Sequence, residues 1–162
     1  MMIGRSLVAL AFALALAACG QQEGKQPEQP AVQEPVTLEA EPWRGFPSDQ
    51  SVSIDGNTLN IPVGGGAMRV VNNPNAAVGD TLSARLRLTA RSAAPVRVAL
   101  FRHCNAELGN EGDSREITLS PEETSFTLQH SFSQPYECVR VHIVSVGQPA
   151  VVTVNEFVVT RE

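Results

Sequence analysis

Apolar and polar residues alternate along most of the chain after Trp43, in short runs rich in Val, Leu, Ile and Thr. The alternation is clearest over residues 82–91, where even positions are apolar and odd positions are polar. A two-residue period predicts a strand with one face in a core. No stretch after Trp43 keeps the 3.6-residue apolar period of an amphipathic helix. The pattern predicts nine strands, at residues 52–54, 58–63, 68–72, 81–92, 96–103, 115–119, 124–132, 138–146 and 151–160.

These short strands define a fold class. They are separated by Gly, Pro and Asn, and Asp55-Gly56-Asn57 has the composition of a tight turn. About nine strands in about 120 residues are typical of a two-sheet antiparallel β-sandwich of the jelly-roll type. We therefore predict an all-β domain over residues 43–162. In it Val139, Val141 and Ile143 face the core.

The first residues have the composition of a secretory signal. Arg5 is followed by an unbroken apolar run over residues 7–18 and then by Cys19. Twelve apolar residues are too few for a transmembrane helix, which needs about 20. A short apolar run behind a basic start predicts a signal peptide over residues 1–18. The alternative, a buried helix, is disfavoured because the run has no polar face and a Gln/Pro/Glu-rich stretch follows it.

The end of this run, Leu16-Ala17-Ala18-Cys19, resembles the lipobox of bacterial lipoproteins. The resemblance implies that the signal is removed before Cys19 and that Cys19 carries the lipid that anchors the protein to a membrane. Gly20 stands where the family's inner-membrane retention signal has Asp. The resemblance therefore implies a location in the cell envelope, anchored to the outer membrane and facing either the periplasm or the surface.

Residues 19–42 are predicted to be a disordered tether. Residues 20–42 contain four prolines, five glutamines and five glutamates, which cannot bury enough apolar surface to offset the entropy of ordering. The whole chain has 12 Lys and Arg against 17 Asp and Glu, a net charge of -5. Because no basic excess is available to neutralise phosphates, a nucleic-acid partner is excluded.

Three segments of the predicted sandwich resemble the carbohydrate-binding-module-like and galactose-binding-domain-like jelly rolls. GDTLSARL at 79–86 resembles the family's G-x-T-Y-x-V-x-F strand, ITLSPEETSF at 117–126 its V-x-L-T-x-E-W-x-x-Y segment, and VVTVNEFVV at 151–159 its V-x-I-D-x-V-x-L strand. The resemblance implies a non-catalytic sandwich with a polysaccharide partner. Asn155 replaces an Asp that often joins a structural calcium site. We therefore predict no cofactor. The alternative, that the domain binds a structural calcium ion, stays open.

Cys104 and Cys138 remain once Cys19 is lipidated. An even pair at strand ends, in an oxidising compartment, predicts a disulfide. Direct pairing of the two positions would set core-facing Leu100 opposite outward-facing His142, so one cysteine is expected to lie just past its strand. The alternative is a metal site with His103. It has poor geometry because neighbouring residues point to opposite faces of a strand.

No residue pattern nominates a catalytic centre. The sequence has no Gly-x-Ser-x-Gly, no His-Glu-x-x-His and no phosphate-binding loop, and we predict that the protein is not an enzyme. His130 alternates with Phe126, Leu128 and Phe132, which predicts a histidine at the edge of the core rather than a ligand.

One set of residues predicts a ligand site. Its members fall on the outward faces of strands that could share a sheet; they are Arg85, Arg87, Arg97, Phe101, His103, Arg140 and His142. Arg suits carboxylate and sulfate because its planar fork donates two parallel hydrogen bonds. The functional interpretation is a site for an anionic envelope or extracellular glycan, or for an acidic protein segment. The alternative interpretation is an ordinary solvated β-surface.

Two functions therefore stay open. The first is a lipoprotein whose sandwich binds a polysaccharide, which the family resemblance favours. The second is a structural or adaptor lipoprotein that contacts other envelope proteins and binds no sugar. Only 5% of the residues are aromatic, which favours the second, because sugar-binding platforms use aromatic rings.

Overall fold

The computed structural model describes residues 34–47, 51–73, 76–104, 109–134 and 136–162. These residues form eleven strands and no helix. The strands are β1 (Val36–Thr37), β2 (Arg44–Phe46), β3 (Ser53–Asp55), β4 (Thr58–Ile61), β5 (Gly66–Asn72), β6 (Thr81–Ala90), β7 (Ala94–Arg102), β8 (Gly112–Leu119), β9 (Thr124–Ser131), β10 (Cys138–Ser145) and β11 (Ala150–Arg161). Within the described ranges, no helix has the length and apolar character needed to cross a membrane.

The strands form two antiparallel sheets. Sheet A has six strands, in the order β3-β4-β11-β6-β9 with β1 also paired to β11. Sheet B has five strands, in the order β2-β5-β10-β7-β8. Every strand pair in both sheets is antiparallel. The predicted all-β, two-sheet antiparallel sandwich is therefore confirmed.

The core lies between the two sheets and follows the predicted alternation. On β6 the even positions 82–90 are all buried, while Arg85 and Arg87 are exposed. On β10 the odd positions Val139, Val141 and Ile143 have no exposed surface. Because both sheets bury alternate positions against one another, each sheet also has an outer face made by the remaining positions.

All nine predicted strands are present, with ends displaced by at most three residues. The prediction missed β1 and β2, which are too short to show a period. β1 falls inside the predicted tether: Val36 and Thr37 pair with β11, and the Leu38 amide donates to the Val159 carbonyl at 2.8 Å. Among the residues that the structure describes, strand pairing thus begins at Val36, ahead of the predicted domain boundary at residue 43. The predicted signal peptide, Cys19 and the first part of the tether lie outside the described residues.

The predicted disulfide between Cys104 and Cys138 is present, across a sequence separation of 34. β7 ends at Arg102, so Cys104 lies past its strand, as expected. The strand register sets Leu100 opposite Val141, and both side chains are in the core. In the chain-entropy model a loop of this length contributes about 4 kcal/mol. The cysteines are consumed by the bond, which removes them as metal ligands.

Candidate functional site

The seven residues predicted to form one site lie on two different sheets. Arg85 and Arg87 belong to β6 and point outward from sheet A. The other five lie on or just past β7 and β10 of sheet B; they are Arg97, Phe101, His103, Arg140 and His142. The outer faces of a sandwich point in opposite directions, so the prediction that these seven residues share one surface is wrong. The physical reason is that consecutive strands β6 and β7 belong to different sheets.

The two arginines on sheet A already have carboxylate partners. Arg85 Nε lies 2.9 Å from Glu156 Oε1, and Arg87 Nε lies 2.6 Å from Glu156 Oε2. Arg87 also reaches Glu123 at 3.4 Å. A register shift between Val154 and Glu156 disturbs the β11–β6 pairing here. These ion pairs make Arg85 and Arg87 part of an ordinary polar surface.

Asn155, where the resembled family has Asp, lies in this irregularity and donates its side-chain amide to Glu123 Oε2 at 2.9 Å. Within the described part of the chain, no group of three His, Cys, Asp or Glu side chains is placed to hold a metal ion.

Three rings lie together across the outer face of sheet B. His142 on β10 is flanked by Phe46 from β2, with ring centroids 4.6 Å apart, and by Phe101 from β7, at 6.1 Å. We call these three side chains the ring cluster. Phe46 and Phe101 are partly exposed, whereas His142 is only 8% exposed. In contrast, the described outward-facing residues of sheet A include no aromatic ring.

Two glycines let the phenylalanine rings lie against the sheet. A Cβ atom on Gly66 would come within 2.6 Å of the Phe46 ring. A Cβ atom on Gly112 would come within 2.5 Å of Phe101 Cδ1 and within 2.0 Å of the Leu100 carbonyl oxygen. Any side chain at either position would displace a ring or the neighbouring strand. The rings therefore sit close to the backbone instead of projecting from it.

Basic side chains border one end of the ring cluster. Arg44 Nη2 donates to His103 Nε2 at 3.4 Å, and Arg140 Nη2 donates to Asn110 Oδ1 at 3.1 Å. Phe101 lies directly opposite Arg140 in the strand register, which joins this group to the rings. We call Arg44, His103 and Arg140 the basic end.

The surroundings of His103 and His142 disfavour the protonated, positively charged form of each imidazole. Burial, and the nearby Arg140 and Arg44, lower the pKa of His103, and Glu41 opposes them in part. Burial, and to a smaller extent the nearby Arg140 and His103, lower the pKa of His142 to about 4. Both imidazoles are therefore uncharged at neutral pH, and the positive charge of the basic end comes from the guanidinium groups of Arg44 and Arg140.

Asn110 is held next to the basic end by its neighbour Glu111. Glu111 forms an ion pair with the buried Arg102 and accepts a hydrogen bond from the Ser133 amide at 2.6 Å. Burial acts to raise the pKa of Glu111, but hydrogen bonds from Ser133 and His130 and the charge of Arg102 outweigh it, so the pKa is lowered. The carboxylate thus stays ionised and fixes the segment that carries Asn110.

His130 is confirmed as a core-edge residue. Its ring packs edge-on against Phe132, with centroids 4.7 Å apart, and Nε2 lies 3.4 Å from Glu111 Oε1.

At the opposite end of the ring cluster, Glu116 neutralises the positive charge of Arg97. Arg97 Nε donates to Glu116 Oε1 at 3.1 Å, and the two residues face one another across β7 and β8. Arg97 therefore does not share the character of the basic end, although it was predicted in the same site.

Sequence reasoning missed Arg44 and Phe46. Both lie on β2, which has three residues, too few for a period to be visible. Only the local composition could have indicated them. Two aromatic residues and one arginine, Trp43, Phe46 and Arg44, lie close together shortly before the first predicted strand.

No family model matches the chain, and no curated protein matches it. Solved structures do match. A xylan-binding module of family CBM15 is 20% identical, with a TM-score of 0.54, over 78% of this chain and 95% of that one. The CBM22-1 xylan-binding domain of Paenibacillus barcinonensis Xyn10C is 11% identical, with a TM-score of 0.58, over 81% and 97%. The N-terminal cellulose-binding domain of Cellulomonas fimi β-1,4-glucanase C is 15% identical, with a TM-score of 0.53, over 74% and 88%.

These similarities define the class of fold. The domain is a β-sandwich jelly roll like that of carbohydrate-binding modules, as its sequence resemblance implied. At such low identity the likeness concerns the fold alone.

Proposed function

We propose that this protein is a non-catalytic, lipid-anchored lipoprotein of the bacterial outer membrane whose sandwich binds envelope or extracellular polysaccharide on the outer face of sheet B. The observation that carries the proposal is the ring cluster. An aromatic face can cover the apolar face of a pyranose, and Phe46 and Phe101 lie against the sheet with part of each ring exposed.

The binding role is supported by the polar groups that surround the rings. A glycan site needs apolar faces for the sugar rings and hydrogen-bonding groups for the hydroxyls. Arg44, His103, Arg140 and Asn110 supply such groups at one end, while Arg97 and Glu116 supply them at the other. The sequence has no motif of a hydrolase centre, and the two xylan-binding structures named above are binding modules.

The membrane anchor is supported by sequence alone. The lipobox-like Leu16-Ala17-Ala18-Cys19 follows an apolar run of signal-peptide length, and Gly20 lacks the acidic retention signal. A lipid on Cys19 would place the sandwich at a membrane surface, within reach of envelope or extracellular polysaccharide.

The test is a glycan array probed with the fragment Gln33–Glu162, which contains every described strand, the core and the disulfide. Glycans that bind should be titrated against Phe46→Leu and Phe101→Leu, which keep apolar cover but remove a ring. Each substitution should weaken binding several-fold, because one aromatic stacking contact contributes about 1 kcal/mol.

Val158→Ala is the matched control, since Val158 is a partly exposed apolar residue on the outer face of sheet A. Binding should be unchanged in this variant. A folded fragment that binds no glycan on the array would contradict the proposal and favour the structural or adaptor lipoprotein.

A further inference from the structure

The arginines of the basic end differ in their partners from Arg85, Arg87 and Arg97, the other arginines of the predicted site. Arg85, Arg87 and Arg97 each lie within hydrogen-bond distance of a carboxylate. The hydrogen bonds of Arg44 and Arg140 go instead to a neutral imidazole and a neutral amide. Among the described residues, no carboxylate forms a salt bridge with either of them.

Two buried nitrogen atoms at the same place have no hydrogen-bond partner. They are Nε2 of His142, a residue that is 8% exposed, and Nε of Arg140. A buried polar atom without a partner costs free energy, and the interior of a protein normally avoids it. Because these two atoms have no accessible surface, the groups that can reach an acceptor outside the chain are the guanidinium groups of Arg44, which is exposed, and Arg140, which is partly exposed.

The position of these groups relative to the rings matters as much as their charge. Arg140 lies directly across from Phe101 in the strand register, and Arg44 lies across from Met68, which in turn lies across from His142. A sugar ring packed on the ring cluster would therefore place its substituents next to the two guanidinium groups. The other end, where Arg97 is paired with Glu116, offers no such charge.

Resting on the proposed function, we propose that the polysaccharide bound by sheet B is acidic, and that Arg44 and Arg140 bind its carboxylate or sulfate groups while the ring cluster packs against its sugar rings. A guanidinium group binds either oxyanion through two parallel, charge-assisted hydrogen bonds. Carboxylate and sulfate share this chemistry.

The test compares matched polymers that differ only in charge. Polygalacturonate is compared with its fully methyl-esterified form, and dextran sulfate with dextran, by titration into the fragment Gln33–Glu162. We expect the charged member of at least one pair to bind about tenfold more tightly or better, and the pair that shows the preference identifies the acid group. The preference should shrink as salt is raised, since these side chains are partly exposed.

The variant Arg44→Gln/Arg140→Gln should abolish the preference for the charged polymer, so that the charged and neutral members of each pair bind with similar affinity. The control is Arg85→Gln/Arg87→Gln, which also removes two positive charges, but from the outer face of sheet A. It should keep the preference. Thermal melting of both variants checks that each is folded.

The outcomes separate this inference from the proposed function. If charged and neutral polymers bind equally well, the acidic-ligand inference is overturned while glycan binding stands. If the control variant loses the preference as well, general attraction of charge explains it and the inference is overturned. If polyglutamate competes with equal affinity through Arg44 and Arg140, an acidic protein segment replaces the polysaccharide. If neither these polymers nor any glycan on the array binds, the proposed function itself fails.

Discussion

His142 connects the electrostatics of the candidate site with the stability of the fold. It lies at the centre of the ring cluster, and its neutral form is favoured by burial and by the neighbouring Arg140 and His103. Protonation of this imidazole would place a charge beneath two aromatic rings without a hydrogen-bond partner for Nε2. The residue that organises the ring cluster is therefore also one that makes the domain sensitive to acid.

The stability of the domain should fall in acid because of His142. The pKa of His142 is about 4 in the folded protein and about 6.5 in an unfolded chain, so the unfolded state binds the proton first as the pH falls. Stability should therefore drop below pH 6.5, by about 2 kcal/mol between pH 7 and pH 5 from this residue. His142→Phe should remove that part of the loss. Urea unfolding at the two pH values measures it.

Ser114→Ala, an exposed position on the same face of sheet B, is the control and should lose as much stability as the unchanged chain. His103 also has a lowered pKa and contributes in the same direction, so His142→Phe keeps a smaller pH dependence. Equal losses in His142→Phe and the unchanged chain would contradict the assignment to His142.

At the scale of elements, the short strands β1 and β2 each cover the edge of a longer strand. β4 pairs only with Ala150–Thr153, so the rest of β11 has an unpaired edge on that side. β1 covers part of this edge by pairing with Thr160 and Arg161, and Leu38 behind it packs on the core. β2 covers the edge of β5 and carries Arg44 and Phe46 to the candidate site.

We expect a fragment that begins at Trp43 to be less stable than Gln33–Glu162 by about 2 kcal/mol. It loses the side chain of Leu38, the strand pairing of β1 and the hydrogen bond to the Val159 carbonyl. Its exposed strand edge should also favour self-association. Denaturant midpoints and light scattering test both effects.

Thr37→Ala in the longer fragment is the control, because Thr37 is exposed and its substitution leaves the backbone pairing in place. It should change stability only slightly. Equal midpoints for the two fragments would show that strand β1 adds nothing to the sandwich.

For the whole molecule, the proposed anchor and the sandwich make separable contributions. The proposed lipid depends on Cys19, whereas the fold depends on residues from Val36 onward and on the disulfide between Cys104 and Cys138. Loss of the anchor should therefore leave the fold and the candidate site unaffected.

Cys19→Ala is expected to be neither lipidated nor retained in membranes. Detergent phase partitioning of extracts from expressing cells gives the measurement, and mass spectrometry of the mature N-terminus confirms the processing. Cys104→Ala should still partition with lipid, although its fold is weakened. A Cys19→Ala protein that remained integral to the membrane would rule out the lipobox interpretation.

The local pattern was sufficient to predict much of the sandwich. A two-residue period along one strand depends only on that strand, so it correctly assigned Leu86 and Val141 to the core. It also predicted that one cysteine of the disulfide would lie past its strand end. The pattern did not predict β1 and β2, because two or three residues are too few to define a period.

Which residues share a surface was decided by the tertiary structure alone. Alternation says which side of a strand a residue faces, but strands with the same alternation can join either sheet. β6 and β7 are consecutive in the chain, yet one joins sheet A and the other joins sheet B, which separates Arg87 from Arg97. Pairing of β2 onto β5 brought Phe46 to His142, although they are far apart in sequence. Sheet membership depends on long-range strand pairing, which the pattern within a single strand does not encode.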